Sequence, residues 1–498
     1  MTTTLTPTPE QEAVLDAYLC GNRLVVDALA GSGKTSTLRM LATATPRRGG
    51  LYIAYNKAIA TDAEKSFPSN TMCRTAHSLA YQAVGYLLAD KLKKPRQRAT
   101  DVARILGIDQ RFLTVNITGD AVAIDRAALA RMVLDTVERF SHSADFGFER
   151  WHVKRVTGLG EDGQAEVDER VLHFARRAWV DLCSHDGKLR LAHDHYLKLW
   201  QLLNPTIPTS VIYLDEAQDA NPVIADIVGS QDHAQLILVG DRHQQLYGWR
   251  GATDAMTTFD GTRLALTKSF RFGPAIAEVA NEWLEQLGSN LRVVGHDPIP
   301  STVGRIPYDE VSAILCRTNA GTIAQAIAAE DRGRRAAITG GTGDLAALAR
   351  AAQELQDRGT TSHPEFMAFK SWSDVVEHAE SEAAGENLAT FVRLVVAYGP
   401  AELLRIINSL QASEDSADLV ISTGHKAKGR EWDRVLIGPD FKPFPRKDPE
   451  TGKPTPPVMT DEARMLAYVA VTRAKLRLDP AGLDWATEAP AALAGVAL

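Results

Sequence analysis

The 498-residue chain has little cysteine, no long apolar run and no excess of positive charge, and each absence excludes a class of protein. Its four cysteines are scattered without a C-x-x-C pair, which argues for reduced intracellular thiols rather than a disulfide framework or a zinc site. No run of 18 apolar residues occurs, so no membrane span is expected. The net charge of −7 means that any nucleic-acid-binding surface has to be local. The Thr/Pro-rich beginning has no signal-peptide features. We therefore expect a cytoplasmic protein that is not secreted.

The composition is otherwise that of a soluble globular protein, with 45% hydrophobic and 23% charged residues. The length allows two to four domains. Short apolar runs predict buried strands, and helix-like runs alternate with them, which indicates parallel α/β sheets. The strands are predicted at 24–26, 50–55, 211–214, 235–239, 313–316, 419–423 and 434–438. Helical periodicity is predicted at 122–140 and 170–183.

The most informative segment is ALAGSGKT at 28–35, which joins an apolar run to a helix-like run. Gly31 and Gly33 let backbone N–H groups converge on an anion at a helix N-terminus. Lys34 can reach the β- and γ-phosphates of a nucleotide, and the Thr35 hydroxyl can ligate Mg²⁺. The segment therefore predicts a P-loop and an NTP-driven protein.

The P-loop pattern has one departure and one supporting partner. The usual pattern begins with glycine where this chain has Ala28, so a plain glycine turn is the alternative. The partner is VIYLDE at 211–216, an apolar run that ends in two carboxylates. Asp215 could hold Mg²⁺ and Glu216 could act as general base toward the attacking water. Alone, such a run would indicate only a strand entering a solvated loop, but the pair of motifs favours an NTPase.

Further motifs follow DEAQD at 215–219 in fixed order. They are GDRHQQLYGWRGA at 240–252, LTKSFR at 266–271, ILCRTN at 314–319, STGHKAKGREW at 422–432 and YVAVTRAK at 468–475. This series resembles the UvrD/Rep family of superfamily 1 DNA helicases, over motifs from Gln11 to Lys475. The KGREW form and AHDHYLKL at 192–199 look most like the F-box DNA helicase branch and its prokaryotic and phage-borne relatives.

The resemblance implies an α/β fold of two RecA-like P-loop domains with parallel sheets, each interrupted by a mainly helical inserted subdomain. ATP would bind in the cleft between the domains, and single-stranded DNA would cross both, with movement from 3′ to 5′. The second insertion is shorter than the family's. The predicted divisions are 1–85 with 209–265 for the first RecA-like domain, 86–208 for its helical insertion, 266–341 with 419–498 for the second, and 342–418 for the reduced second insertion.

The resemblance also assigns the nucleotide site. Arg271 and Arg473 match the γ-phosphate arginines, which would act as arginine fingers when the cleft closes. Gln244 matches the glutamine that senses the γ-phosphate, and Glu431 matches the glutamate that contacts the ribose. The catalytic set is thus Lys34, Glu216, Gln244, Arg271 and Arg473. The cofactor-binding set is Gln11, Ala30, Gly31, Ser32, Gly33, Lys34, Thr35, Ser36 and Glu431, with Thr35 and Asp215 as the metal ligands.

Gln11 has two interpretations. It matches the family's adenine-reading glutamine near the N-terminus. The segment Thr8-Pro9-Glu10-Gln11 also fits a helix capping box, with Thr8 as N-cap, Pro9 at the first helical position and Gln11 at the third. Both interpretations stay open from the sequence.

The DNA contacts follow from the same resemblance. Tyr247, Trp249 and Arg250 match the segment that couples nucleotide state to base stacking. A Trp gives a base a sequence-tolerant platform, although a lone Trp is more often part of a core. His425 matches a histidine that links DNA to the ATP site, although a lone His is usually structural.

Two segments near the first strands resemble further DNA-contacting motifs. Tyr55 begins a Tyr-Asn-Lys match. His77 lies in TAHSL at 75–79, which resembles the family's TFHSL with Ala76 in place of Phe. Residues 91–98 hold five basic residues, which could contact duplex DNA or only form a solvated face. A loop with Lys442, Arg446 and Lys447 is a weaker candidate.

The sequence thus predicts an ATP-dependent 3′–5′ DNA helicase that uses ATP and Mg²⁺ on single-stranded and 3′-tailed duplex DNA. The alternatives are a translocase that strips proteins from single strands and unwinds poorly, and a nucleotide-gated DNA-binding module without turnover. We expect a monomer in isolation, association with the nucleoid, loading or recombination proteins as partners, and no membrane.

Overall fold

The computed structural model of the protein describes residues 6–109, 112–117, 120–156, 159–246, 255–361, 363, 365–366, 369–380, 386–442, 446–447, 454–455 and 459–486. Its contacts divide the chain into a first unit, Met1–Ala28 with Lys34–Leu266, and a second unit, Leu29–Gly33 with Thr267–Leu498. Within the described ranges, every helix is too short or too polar to cross a membrane.

A six-stranded parallel sheet with the order β3-β2-β6-β7-β1-β8 forms the centre of the first unit. The first unit's strands are β1 (Leu24–Ala28), β2 (Gly50–Ala54), β3 (Thr71–Thr75), β4 (Phe112–Ile117), β5 (Asp120–Asp125), β6 (Val211–Asp215), β7 (Gln235–Gly240) and β8 (Thr262–Leu266). The neighbours β6, β7 and β1 end at the same edge, because parallel strands share a direction. That edge is where open α/β sheets bind ligands.

Both faces of this sheet are buried, which explains the near-continuous apolar strands. In β1, Val25 packs into a core with β6 and the helices that follow β3. Its neighbours Leu24 and Val26 pack into a second core on the other face, together with Tyr18.

The helices of the first unit flank its sheet and fill the segment between β3 and β6. They are α1 (Pro9–Leu19), α2 (Lys34–Ala44), α3 (Lys57–Ser66), α4 (Ala76–Ala83), α5 (Ala89–Leu92), α6 (Ala99–Leu106), α7 (Arg126–His142), α8 (Glu161–Cys183), α9 (His193–Leu202), α10 (Pro222–Gly229) and α11 (Ala255–Thr258). The helical prediction at 122–140 is wrong at its start, because β4 and β5 form an antiparallel hairpin before α7.

The second unit repeats the layout with a parallel sheet of order β11-β12-β10-β13-β16-β9. Its strands are β9 (Thr302–Val303), β10 (Ala313–Cys316), β11 (Ala336–Ile338), β12 (Leu419–Thr423), β13 (Trp432–Ile437), β14 (Arg446–Lys447), β15 (Pro454–Thr455) and β16 (Ala474–Asp479). Its helices are α12 (Pro274–Gln286), α13 (Asn319–Asp331), α14 (Gly343–Arg358), α15 (Trp372–Glu380), α16 (Glu386–Tyr398), α17 (Pro400–Ser409) and α18 (Asp461–Val471).

The fold class predicted from the sequence is confirmed: two parallel α/β sheets each carry helices and a mainly helical insertion. The predicted loop with Lys442, Arg446 and Lys447 contributes β14, which forms a short antiparallel pair with β15. The exact domain boundaries given above stay predictions.

Candidate nucleotide site and its surroundings

The glycine-rich loop has the backbone of a phosphate cradle. Gly31 and Gly33 adopt φ values of +75° and +80°, a region that disfavours side chains. A Cβ on Gly31 would lie 2.4 Å from Ser269 Oγ, so the loop also needs glycine for space. Ser32 Oγ is buried and has no hydrogen-bond partner within the part of the chain that the structure describes. A buried, unpartnered hydroxyl in this loop fits a bound phosphate.

The two predicted metal ligands come together at the sheet edge. Thr35 stands in the first turn of α2 and donates a hydrogen bond from Oγ1 to Asp215 Oδ2, 3.2 Å away. Asp215 ends β6, and the Tyr52 hydroxyl on the neighbouring β2 donates to the same oxygen at 2.5 Å. The Lys34 ammonium donates to the Ala28 carbonyl at 3.1 Å. The sequence analysis predicted that Thr35 and Asp215 share one metal site. It did not predict the hydrogen bond from Tyr52 to Asp215.

Burial raises the pKa of Asp215 to about 6, and the adjacent Glu216 charge adds to the increase. The Tyr52 hydrogen bond and the Lys34 charge lower it in part. A buried carboxylate with this excess of negative charge is suited to a cation. The donor set of a hydroxyl and a carboxylate supplies the hard oxygens that Mg²⁺ prefers. Among the described residues, no group of three or more His, Cys, Asp or Glu could hold a metal ion.

Asp215→Asn should stabilise the nucleotide-free protein at neutral pH. The native pKa lies above the unfolded value, so between about pH 4 and pH 6 the native state binds the extra proton and the free energy of unfolding falls as pH rises. At pH 7.5 the neutral side chain should therefore gain about 1–3 kcal/mol. Thermal melting without nucleotide or metal measures this gain, which should shrink at about pH 5. A variant less stable at both pH values would contradict the buried-charge argument.

Glu216 has an unusual backbone for a residue with a side chain. Its φ and ψ are 51° and 43°, in the left-handed region. Such conformations cost free energy and persist where the surroundings fix them. Here Gln218 Nε2 donates to Glu216 Oε2 at 2.6 Å, and the Glu216 N–H donates to Asp215 Oδ1 at 2.9 Å. The predicted base is thus held in a fixed orientation.

Gln218 also connects Glu216 to the predicted γ-phosphate sensor. Gln218 is fully buried, and its Oε1 accepts the Asp241 N–H at 3.0 Å. Asp241 follows β7, and its Oδ2 accepts Gln244 Nε2 at 2.6 Å. Burial alone would raise the pKa of Asp241, but hydrogen bonding from His243 and the charge of Lys34 lower it overall. Sequence reasoning missed Gln218 and Asp241, although both stand inside motifs that it quoted.

The capping interpretation of Gln11 is observed. Gln11 Oε1 accepts the Thr8 N–H at 3.0 Å, and Thr8 Oγ1 accepts the Gln11 N–H at 3.2 Å. The other end of the amide, Nε2, donates to Thr37 Oγ1 at 3.0 Å in α2. An adenine contact by Gln11 stays a prediction. Ser36 is exposed on α2, next to Thr35.

The second unit contains the two predicted arginines and Glu431. Arg271 Nε donates to Glu431 Oε2 at 2.7 Å. Arg473 is buried, and its Nε donates to the Val469 carbonyl at 2.9 Å. The Ala30 N–H of the glycine-rich loop donates to the Tyr468 hydroxyl at 3.2 Å. The sequence named both arginines but not these hydrogen bonds.

A cavity of about 860 Å³ lies in the first unit beside Asp215 and Glu216. Tyr55 and His77, both predicted DNA contacts, line it together with Trp151 from the insertion. Tyr55 and Trp151 are exposed, at 41% and 65%.

Asp194 of AHDHYLKL holds His77 in this cavity. Its Oδ1 lies 3.1 Å from His77 Nε2, and its Oδ2 lies 3.4 Å from His142 Nε2. Burial would raise the pKa of Asp194, but hydrogen bonds from both histidines bring it well below the usual range. Sequence reasoning singled out this motif without assigning Asp194 a role.

Of the four remaining predicted DNA contacts, one residue, His425, lies within the described residues. His425 follows β12 and is half-buried, and burial lowers its pKa below the ordinary histidine value. Tyr247, Trp249 and Arg250 lie outside the described residues, so stacking by Trp249 stays a prediction.

The fold and the glycine-rich loop define an α/β protein with a P-loop and two RecA-like parallel sheets. Residues 203–260 match the UvrD/REP helicase N-terminal domain family, and residues 342–479 match the UvrD-like helicase C-terminal domain family. These two segments of the chain are therefore similar to UvrD-like helicase domains.

Curated relatives agree with these matches. The chain is 32% identical to F-box DNA helicase protein 1 of Schizosaccharomyces pombe, over 95% of this chain and 57% of the relative. It is 31% identical to F-box DNA helicase 1 of Gallus gallus, over 94% of this chain and 48% of the relative. The chain spans about half the length of these relatives.

More distant similarities are weaker. ATP-dependent DNA helicase UvrD2 of Mycobacterium tuberculosis is 26% identical over 55% of this chain and 47% of the relative. A solved Pif1 helicase from Candida albicans aligns with a TM-score of 0.35 at 12% identity, over 98% of this chain and all of that chain, and adds nothing to the fold described above. A prokaryotic or phage origin of the chain stays a prediction.

Proposed function

We propose that this protein is an ATP-dependent DNA helicase that moves 3′ to 5′ on single-stranded DNA and unwinds duplex DNA. The observation that carries the proposal is the juxtaposition of Thr35 Oγ1 with the buried Asp215, 3.2 Å apart, beside a rigidly held Glu216. A P-loop cation site with a fixed carboxylate next to it is what ATP hydrolysis requires. The DNA substrate in this proposal is inferred from the similarity to the F-box DNA helicases.

In this proposal each residue has a defined task in hydrolysis. Lys34 and the N–H groups of 30–36 bind the phosphates, and Glu216 accepts a proton from the attacking water. When bound, Mg²⁺ at Thr35 and Asp215 would neutralise charge on the β- and γ-phosphate oxygens. Arg271 and Arg473 stabilise charge that develops on the γ-phosphate. Gln244 contacts the γ-phosphate and couples its presence to the DNA-contacting residues that follow in the sequence.

The DNA side of the proposal rests on the exposed aromatic residues and the family motifs. Tyr55 and His77 lie at one cavity of the first unit, and Trp249 belongs to the segment after Gln244. Base stacking on aromatic rings would bind single strands without sequence preference. Action as a monomer on nucleoid DNA, in the cytoplasm and with loading or recombination proteins, is part of the same proposal.

Strand displacement tests the proposal directly. We expect unwinding of a 3′-tailed duplex with ATP and Mg²⁺, little on a 5′-tailed or blunt duplex, and ATP hydrolysis that rises when single-stranded DNA is added. Preference for the 5′ tail would contradict the polarity. ATP hydrolysis without DNA stimulation would contradict the coupling.

The reduced second insertion, residues 342–418 with α14 to α17, favours the translocase alternative. A translocase that strips proteins from single strands would hydrolyse ATP with DNA stimulation and displace a bound protein, yet leave the tailed duplex intact. The binding-module alternative would bind nucleotide and DNA without turnover. Strand displacement therefore separates the helicase from the translocase, and DNA-stimulated ATP hydrolysis separates both of them from the binding module.

A further inference from the structure

The guanidinium of Arg271 is held on two sides within the second unit. Its Nε donates to Glu431 Oε2 at 2.7 Å and its Nη1 donates to the Thr472 carbonyl at 3.0 Å. The Arg271 side chain is only 16% exposed, and that of Glu431 is 45% exposed. Among the described residues, Nη2 has no hydrogen-bond partner. The planar guanidinium group of Arg271 is thus oriented, and its Nη2 can still donate a hydrogen bond.

The backbone next to Arg271 is hydrogen-bonded to the glycine-rich loop, whose residues Leu29–Gly33 belong to the second unit. The Phe270 N–H donates to the Gly31 carbonyl at 2.8 Å. A Cβ on Gly31 would lie 2.8 Å from the Cβ of Arg271. The side chain therefore starts against the loop that would bind the phosphates.

Strand pairing fixes the backbones of the two residues that hold Arg271. Glu431 directly precedes β13 and Thr472 lies just before β16, and these strands pair with Trp432 opposite Ala474. The Trp432 N–H also donates to the Arg473 carbonyl at 2.9 Å. The register of two adjacent strands thus places the Glu431 backbone next to the Thr472 carbonyl. The Thr472 carbonyl therefore does not have to be ordered when nucleotide binds.

We infer that Glu431 is a positioning residue for Arg271, rather than a residue whose main task is to contact the ribose. This inference rests on the proposed function, in which Arg271 stabilises charge on the γ-phosphate. A free arginine loses rotamer freedom when it binds, whereas a fork fixed at Nε and Nη1 has already lost it. Glu431 therefore acts on the rate of hydrolysis through Arg271.

The two roles of Glu431 make opposite predictions in a double-mutant cycle. Glu431→Ala should lower kcat on the order of 10²-fold through misplacement of Arg271, with KM for ATP little changed. Arg271→Ala should lower kcat by about 10³-fold or more. If Glu431 acts through Arg271, the double variant should be no slower than Arg271→Ala alone. Multiplicative losses would overturn the inference.

Sugar-modified nucleotide gives a second readout. Wild-type protein should hydrolyse 2′,3′-dideoxy-ATP with a kcat close to that for ATP, because the arginine is still held. If the modified sugar costs the wild type the factor that Glu431→Ala costs on ATP, and the variant ignores the sugar, the ribose role is correct and the inference fails.

Three controls keep these results interpretable. Glu431→Gln retains a carbonyl oxygen for Arg271 Nε and should recover part of kcat; no recovery over Glu431→Ala would count against positioning. Glu310→Ala removes a surface carboxylate of the same unit, bonded to Arg477 at 2.6 Å, and should leave kcat unchanged. Undiminished hydrolysis in Lys34→Ala would overturn the proposed function itself, whereas multiplicative losses overturn only the role of Glu431.

Discussion

Lys34→Ala should abolish DNA-stimulated ATP hydrolysis while leaving the fold intact. The ammonium is the cation that the P-loop places at the β- and γ-phosphates, and its charge also lowers the pKa of Asp215 and Asp241. Loss of a preorganised charge at such a site costs at least about 10²–10³-fold in rate. The side chain is half-buried rather than part of a core, so its removal leaves no large cavity. Steady-state phosphate release with saturating single-stranded DNA measures the loss.

The matched control is Lys65→Ala, because Lys65 is an exposed lysine of the same unit, paired with Asp62 at 2.8 Å. It should hydrolyse ATP like the wild type and melt within a few degrees of it. Wild-type turnover in Lys34→Ala would mean that 28–35 is only a glycine turn, the alternative that the Ala28 departure leaves open.

Much of the fold could be predicted because the central strands are buried on both faces. β6, β7, β10 and β12 appear in the sequence as short apolar runs, and their bounds agree with the prediction to within one residue. Edge strands gave no such pattern. β3, with the sequence TMCRT, exposes Met72, and β11 has only three residues.

The error at 122–140 has a local cause. Alternating and helical periods are hard to separate over a few apolar residues, and the hairpin strand β5 ends only one residue before α7 begins. The true helix start is marked by Asp125, whose Oδ1 accepts the Ala128 N–H at 2.7 Å. That N-cap was the available sequence feature.

Part of the candidate site could also be predicted from the sequence, and part of it could not. Motif chemistry predicted Thr35 and Asp215, 180 positions apart, and the strand order β6-β7-β1 brings their segments to one edge. Tyr52 could not be predicted, because the adjacency of β2 and β6 is a matter of sheet order. The left-handed backbone of Glu216 and the pairing of Arg271 with Glu431 depend on tertiary packing and on strand register.

Glu216→Gln should retain nucleotide binding and lose hydrolysis by a factor on the order of 10²–10⁴, the usual cost of a missing general base. The amide has the size of the carboxylate, and its carbonyl oxygen can still accept the hydrogen bond that Gln218 Nε2 donates at 2.6 Å. Asp215 and Thr35 are unchanged, so Mg²⁺–ATP should still bind. Titration with a fluorescent ATP analogue and single-turnover phosphate release measure the two effects separately.

Glutamine is the informative replacement because it preserves the backbone at φ 51° as well as the side-chain shape. Glu216→Gly would remove the base and also relieve a strained conformation, which would change stability and activity together. Glu166→Gln on the exposed surface of α8 controls for loss of a carboxylate charge in this unit and should keep full activity. If Glu216→Gln instead loses nucleotide affinity, the carboxylate belongs to the metal or to the fold. If affinity holds and only the rate falls, the proton of the attacking water goes to Glu216.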